Sequence, residues 1–288
     1  MRSIVLHLHN PKTAGTNFNA VLRRTFGESF LQDRLLCGAV SYQPEHVRQA
    51  ALVKPQRAFA SHALRASSVP TTDDQRNFNI CLIPISFCRD PIEKAISGYF
   101  DLRNRVAGPQ HAALHMSIAE IVAEWAKRDF DSLEFGISRS QTQWYFPQSR
   151  HAMADIERDI GEDRLLLLPS CRMDEALVCL ERAYPQLLPD LSYGRRQNVS
   201  TKDHALDEND LAAITQLPWI DEDRGLLDLA NQLLARKQNE LFGSTTAFDE
   251  HLLDFQHRCR QRMTGQNSVA RRRQFPRPLM RLYHRLVR

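Results

Sequence analysis

Residues 79–88, NICLIPISFC, form the most apolar run of the chain. A run this short and this apolar suits a strand buried on both faces rather than an amphipathic helix. It has companions: residues 3–9 alternate around Ile4, Val5, Leu6 and Leu8, residues 57–62 are a second short apolar run, and residues 164–169, RLLLLP, a further one. Between these runs the periodicity changes to that of helices, over 18–26 ending at Gly27, over 92–105 with Pro91 in the first helical position, and over 174–184. Another helix starts at Ser117, where Glu120 completes a capping box. Strands alternating with helices predict an α/β fold with a central parallel sheet and helices on both faces. Pro84 removes a ladder donor from the apolar run, so only 85–88 is expected to be central. Beyond Pro185 the pattern is polar and helical, over 207–217 and 221–242, which predicts a helical C-terminal portion.

The 288 residues, 42% of them hydrophobic and 25% charged, are enough for one substantial core and exclude collagen-like, coiled-coil and wholly disordered chains. The formal charge of +4 is unevenly spread. Residues 256–288 hold ten Arg and no Lys, Asp or Glu, leaving 28 basic against 34 acidic residues elsewhere. The expected division is therefore a domain over 1–255 and a basic tail over 256–288, with an aperiodic linker over 264–277. No nucleic-acid partner is expected for the body, and any contact with an anionic acceptor or a membrane surface falls to the tail. The six cysteines lack CxxC spacing and read as reduced thiols, no ligand cluster calls for a metal, and no apolar run suits a signal peptide or a membrane span. A cytoplasmic protein is expected.

The loop after the first strand, HNPKTAGTN over 9–17, joins a buried parallel strand to a helix N-terminus, where free N–H groups and the helix dipole favour an anion. Lys12 adds a charge, Gly15 permits close approach, and Thr13 and Thr16 add hydroxyls. The order of Lys and Gly is not that of the Walker pattern. PKTAGT preceded by His9 resembles the 5′-phosphosulfate loop of sulfotransferases that use 3′-phosphoadenosine 5′-phosphosulfate (PAPS), in particular their carbohydrate 2-O-sulfotransferase-like branch. A second string, FCRDPIEKAISGY over 87–99, resembles the family's 3′-phosphate motif, in which Arg-Asp-Pro ends a strand and a Ser follows eight residues after the Arg. The resemblance extends over about residues 4–242. It includes SQTQW over 140–144, with Gln143 where Arg is common, and RRQNVS over 195–200, similar to a late loop that closes over the nucleotide.

The resemblance implies a P-loop-NTPase-like sulfotransferase fold that transfers the sulfuryl group of PAPS to a hydroxyl of a carbohydrate or glycolipid-like acceptor. Adenosine 3′,5′-bisphosphate is released and no metal is required. It assigns Lys12, Thr13, Ala14, Gly15, Thr16 and Asn17 to the 5′-phosphosulfate, Arg89 and Ser97 to the 3′-phosphate, and Asn198 and Ser200 to the closing loop. Lys12 would meet the charge forming on the bridging oxygen. His62, at the end of the 57–62 strand, is the expected base, with Glu93 or another carboxylate as the alternative. His7 and His9 read as structural. The rival readings are a magnesium-dependent nucleotide kinase and an inactive nucleotide- or polyanion-binding module.

Overall fold

A computed structural model describes residues 1–32, 42–53, 56–106, 117–127, 140–147, 149–194 and 207–270. Along these residues the elements are β1 (Arg2–Leu8), α1 (Gly15–Phe26), β2 (Phe30–Gln32), α2 (Pro44–Val53), β3 (Ala58–Ser61), α3 (Thr72–Asn77), β4 (Ile80–Cys88) and α4 (Pro91–Val106). They continue with α5 (Ile118–Lys127), α6 (Gln141–Tyr145), α7 (Ala152–Gly161), β5 (Leu166–Pro169), α8 (Met173–Ala183), α9 (Glu208–Thr215), α10 (Ile220–Phe242) and α11 (Thr245–Ala270). The five strands form one parallel sheet in the order β2-β3-β1-β4-β5.

Alternation along β1 shows why the sheet needs helices on both faces. Val5 enters a core with Phe18 and Leu22 of α1, the apolar face of α8 and Phe255 of α11. Ile4, Leu6 and Leu8 enter a second core with Trp144, Tyr145, Ile156 of α7 and Leu226 of α10. A third cluster, with Tyr99, Phe100, Ile118, Val122, Ile214 and Trp219, packs α4 and α5 against α9 and the start of α10. The fold is α/β with a central parallel sheet flanked by helices and a helical C-terminal portion.

The strand order matters for the site. After β1 the chain builds β2 and β3 on one side and then crosses to β4 on the other, so the carboxyl ends of β3, β1 and β4 lie side by side. In open parallel sheets this reversal is where ligands bind. The register levels the three ends: Leu8 pairs with Ser61 on one side and with Ser86 on the other.

Three features differ from expectation. First, β4 is a strand along its whole length, with Pro84 paired to Leu6 in register. Pro84 is tolerated because β5 joins only from Ile85 onward, so one edge of β4 is not paired to β5 at the proline. Second, β2, α2, α3, α6 and α7 fall outside the expected elements, and of these β2 and α6 carry too few residues to show a periodicity of their own. Third, the boundary expected after residue 255 falls inside α11, which also covers the first part of the expected linker. Gly243, left-handed at φ 70°, ends α10, its N–H reaching the Asn239 carbonyl, and α11 turns back to bury Phe248, Phe255 and Cys259. The body therefore extends past 255, and the remainder of the basic tail, 271–288, lies outside the described residues. No described helix is long and apolar enough to cross a membrane.

Candidate active site

The loop after β1 departs from ordinary backbone geometry. Lys12 and Ala14 are left-handed, at φ 65° and 66°, with Thr13 between them. A non-glycine residue costs on the order of 1–2 kcal/mol there, and such conformations gather at ligand sites. Alternation of left-handed residues with right-handed ones is the geometry of anion nests, in which successive N–H groups turn toward one concave side. Ala14 is the N-cap of α1 and gives it no side-chain cap, and the first turn carries no acid. The helix therefore presents its positive end to this loop.

Two residues in this loop act differently from expectation. Thr13 is buried, and its hydroxyl donates to the Asn10 carbonyl at 2.8 Å, so that hydroxyl holds the loop's shape and only the Thr13 main chain remains for an anion. Gly15 is required by its neighbours: a Cβ would lie 2.1 Å from His9 Cδ2 and 2.4 Å from His9 Nε2. Thr16 and Asn17 lie half-buried in the first turn of α1.

Behind the loop three histidines stack. The His9 ring lies 3.9 Å from the His62 ring at 26° and 5.0 Å from the His7 ring at 19°. Asn19 of α1 holds two of them. Its Oδ1 accepts from His7 Nδ1 at 2.6 Å and its Nδ2 donates to His9 Nδ1 at 3.2 Å, which leaves the proton of neutral His9 on Nε2. Burial drives the His7 pKa down to about 3 and lowers that of His9 well below its usual value. Both rings are therefore neutral at physiological pH.

His62 follows β3 directly and is half-buried. Its Nδ1 donates to the His9 carbonyl at 2.7 Å, so the neutral ring carries its lone pair on Nε2. Its main chain is held as well: Arg65 donates to the His62 carbonyl and lies 4.2 Å over the Trp144 ring. An imidazole fixed in plane and tautomer, with Nε2 as its acceptor, is built like a general base.

Arg89 follows β4 directly. Its Nη1 donates to the Lys12 carbonyl at 3.4 Å, which brings the two phosphate-type motifs together, and its Nε pairs with Glu93 at 3.1 Å. Ser97 lies two helical turns further along α4, half-buried, and no hydrogen bond among the described residues joins it to Arg89. Asn198 and Ser200 lie outside the described residues.

The short helix α6 is legible in sequence only as part of a weak motif, yet it braces all three strand ends. Trp144 supports Arg65 and through it His62. The Tyr145 hydroxyl donates at 2.8 Å to Ser86 Oγ, which donates at 2.6 Å to the Leu8 carbonyl, and the Asn10 amide lies nearby. Gln141 bonds the main chain of Arg89. Asp223 of α10, fully buried, caps α6 by accepting from the Ser140 hydroxyl and from the N–H groups of Gln141 and Thr142. Burial lowers the pKa of the neighbouring Lys94 to about 8, with the Asp223 charge acting in the opposite direction. Sequence periodicity gives no sign that Asp223, 82 residues from Gln141, belongs to this edge. Among the described residues no group of His, Cys, Asp and Glu is arranged to hold a metal ion.

Neither a family model nor a curated protein matches the chain. Among solved structures, the crystal structure of mouse sulfotransferase SULT7A1 complexed with PAP is similar, with 12% identity and a TM-score of 0.40, over 87% of this chain and 90% of that chain. At that distance it assigns neither a residue nor an activity here.

Proposed function

We propose that the protein is a PAPS-dependent sulfotransferase. The observation that carries this reading is the meeting of the Lys12 loop and Arg89 at adjacent strand ends, with His62 on the next strand end. An anion nest at a helix N-terminus suits a 5′-phosphosulfate. A strand-end arginine across from it suits a second phosphate on the same nucleotide. Asn198 and Ser200 complete the proposed nucleotide set on the strength of their motif.

In the proposed reaction the acceptor hydroxyl oxygen attacks sulfur in line with the bridging oxygen. The new S–O bond forms as the bond from sulfur to that oxygen breaks, and the electron pair stays on the departing 5′-phosphate. Lys12 and the N–H groups of the nest stabilise that charge, a role that grows toward the transition state. The acceptor proton passes to His62 Nε2. The His62 imidazolium then formed keeps its Nδ1 bond to the His9 carbonyl and lies against a neutral His9 ring, so no like charge opposes it from that side. The acceptor is proposed to be a hydroxyl of a carbohydrate or glycolipid-like molecule, encountered in the cytoplasm. The arginines beyond residue 270 are proposed to contact an anionic acceptor or a membrane surface.

Calorimetry without magnesium tests the reading. Adenosine 3′,5′-bisphosphate should bind at least about tenfold more tightly than AMP or ADP, since charge-assisted contacts are worth roughly 1.5–3 kcal/mol each. Equal affinities, or an absolute need for magnesium, would replace it with the kinase reading. Radiolabelled PAPS with a panel of glycan and lipid acceptors then identifies the acceptor.

A further inference from the structure

Arg89 stands where the sheet stops supporting the chain. β1 pairs with β4 only as far as Ser86, and β5 pairs with it only as far as Cys88. At the next residue a side chain takes over from the missing strand. Gln141 Oε1 accepts from the Arg89 N–H at 2.9 Å, and Gln141 Nε2 donates to the Arg89 carbonyl at 2.8 Å. One amide thus satisfies both main-chain groups of one residue, as a neighbouring strand would. It fixes the peptide planes on both sides of the Arg89 Cα, and hence the direction in which the arginine side chain leaves the sheet.

The amide itself has no freedom to drift. Gln141 and Asp223 are both 0% exposed. Asp223 accepts from the Gln141 N–H with both oxygens at 2.8 Å, and from Gln141 Nε2 at 3.3 Å. Burial of two polar groups is tolerated only when they are satisfied in this manner, and the cost of breaking the arrangement keeps it in one state. The guanidinium at the other end is far less constrained. Its side chain is 29% exposed, its carboxylate partner Glu93 is 58% exposed, and its bond to the Lys12 carbonyl is long, at 3.4 Å. With so few partners of its own, this guanidinium takes its starting direction from the backbone.

We infer that Gln141 is a positioning residue that sets the protein's preference for a nucleotide bearing a 3′-phosphate, acting through the main chain of Arg89 and locked in place by Asp223. The inference rests on the nucleotide reading above and deepens it. Gln141 does not touch the nucleotide in this account. It aims the residue that does, and misplacement on the order of 1 Å can cost as much as 10²-fold in a positioned interaction.

The test is the ratio of dissociation constants for AMP and adenosine 3′,5′-bisphosphate, measured by calorimetry on the full chain for wild type, Gln141→Met, Arg89→Ala and the double variant. Methionine keeps the length and apolar volume of glutamine and removes both bonds to Arg89, while the Asp223 bonds to the main chain of 141 and 142 remain. Wild type should show a ratio of at least about ten. Gln141→Met should reduce it to about three or less with AMP affinity unchanged, and in the Arg89→Ala background it should have no further effect. A loss of affinity equal for both nucleotides would mark Gln141 as merely structural and overturn the inference. So would an unchanged ratio in Gln141→Met alongside a collapsed ratio in Arg89→Ala, which leaves the nucleotide reading standing. A wild-type ratio near one overturns that reading first. Should Gln141→Met fail to unfold cooperatively, Asp223→Asn weakens the lock while keeping Gln141. It should lower the ratio in the same direction, and an unchanged ratio there also overturns the inference.

Discussion

Arg89 and Arg258 expose the same share of their side chains, 29% each, and are held in opposite ways. Arg258 of α11 meets three carboxylates, Glu181 at 2.7 Å, Asp190 at 2.7 Å and Asp254 at 2.9 Å. The hydrogen bonds it donates to Glu181 hold its pKa far above the usual value. Arg24 and Arg262 also converge on Asp190 and Ser192. Burial would raise the Asp190 pKa, but Ser192 and Arg262 prevail and bring it down to about 2. Arg89 has one exposed carboxylate and one long bond to a carbonyl. An arginine neutralised in place serves the fold, whereas one with few of its five donors committed can serve a ligand.

The contrast is tested most severely at Lys12, on the ligand side. Lys12→Ala should lower kcat by on the order of 10²-fold or more while weakening product binding far less. Its unfolding midpoint should stay close to wild type, because alanine is no more strained than lysine at φ 65°. Near-normal turnover at saturating PAPS would remove Lys12 from the chemistry.

On the structural side, Arg258→Ala should cost about 2 kcal/mol of stability in denaturant titrations and leave nucleotide affinity alone, since it takes the charge partner from Glu181, whose side chain is 14% exposed, while Asp190 keeps Arg262. Truncation at residue 256 should cost more, because it also removes Cys259 from the core, whereas truncation at 271 should leave cooperative unfolding intact. Arg89→Ala should do the reverse of Arg258→Ala, with about a tenfold or greater loss of 3′-phosphate preference and little change in stability. If both variants changed both properties equally, the two regions would not differ in the way described.

A pH-dependent effect concerns the histidine stack, which lies behind the ligand side of the contrast. The His7 pKa is depressed in the folded state, so the unfolded chain binds the proton first as pH falls. The stabilisation is fully present above pH 6.5 and is lost as pH drops toward 3. The slope is about 1.4 kcal/mol per pH unit for one such group. His7→Phe, which keeps a ring and removes the titration, should flatten the decline measured between pH 6 and 4 by about that amount.

Several parts of this edge are legible in the sequence. The apolar runs locate β1, β3, β4 and β5, and the capping box at Ser117 and Glu120 forms as read. The strings around Lys12 and Arg89 can be read because the residues that leave a strand are its immediate neighbours in the chain. Thr13 and Gly15 escape such a local reading: Asn10 and His9 give them their structural tasks, and those contacts exist only once the loop has closed.

The sequence by itself determined the alternation of buried strands and amphipathic helices, and with it a parallel sheet covered on both faces, because period and apolarity are local properties. It also determined which residues stand just after each strand. Tertiary structure alone decided that three of those strand ends are neighbours, since strand order depends on how the chain crosses the sheet. Tertiary structure likewise decided that α11 belongs to the body, because its composition is basic while Phe255 and Cys259 are buried and Arg258 and Arg262 find acids on the α8 side. The clamp of Asp223 and Gln141 on Arg89 is the extreme case. Its parts lie far apart in the chain and are fixed by buried hydrogen bonds, which leave no periodic trace in sequence.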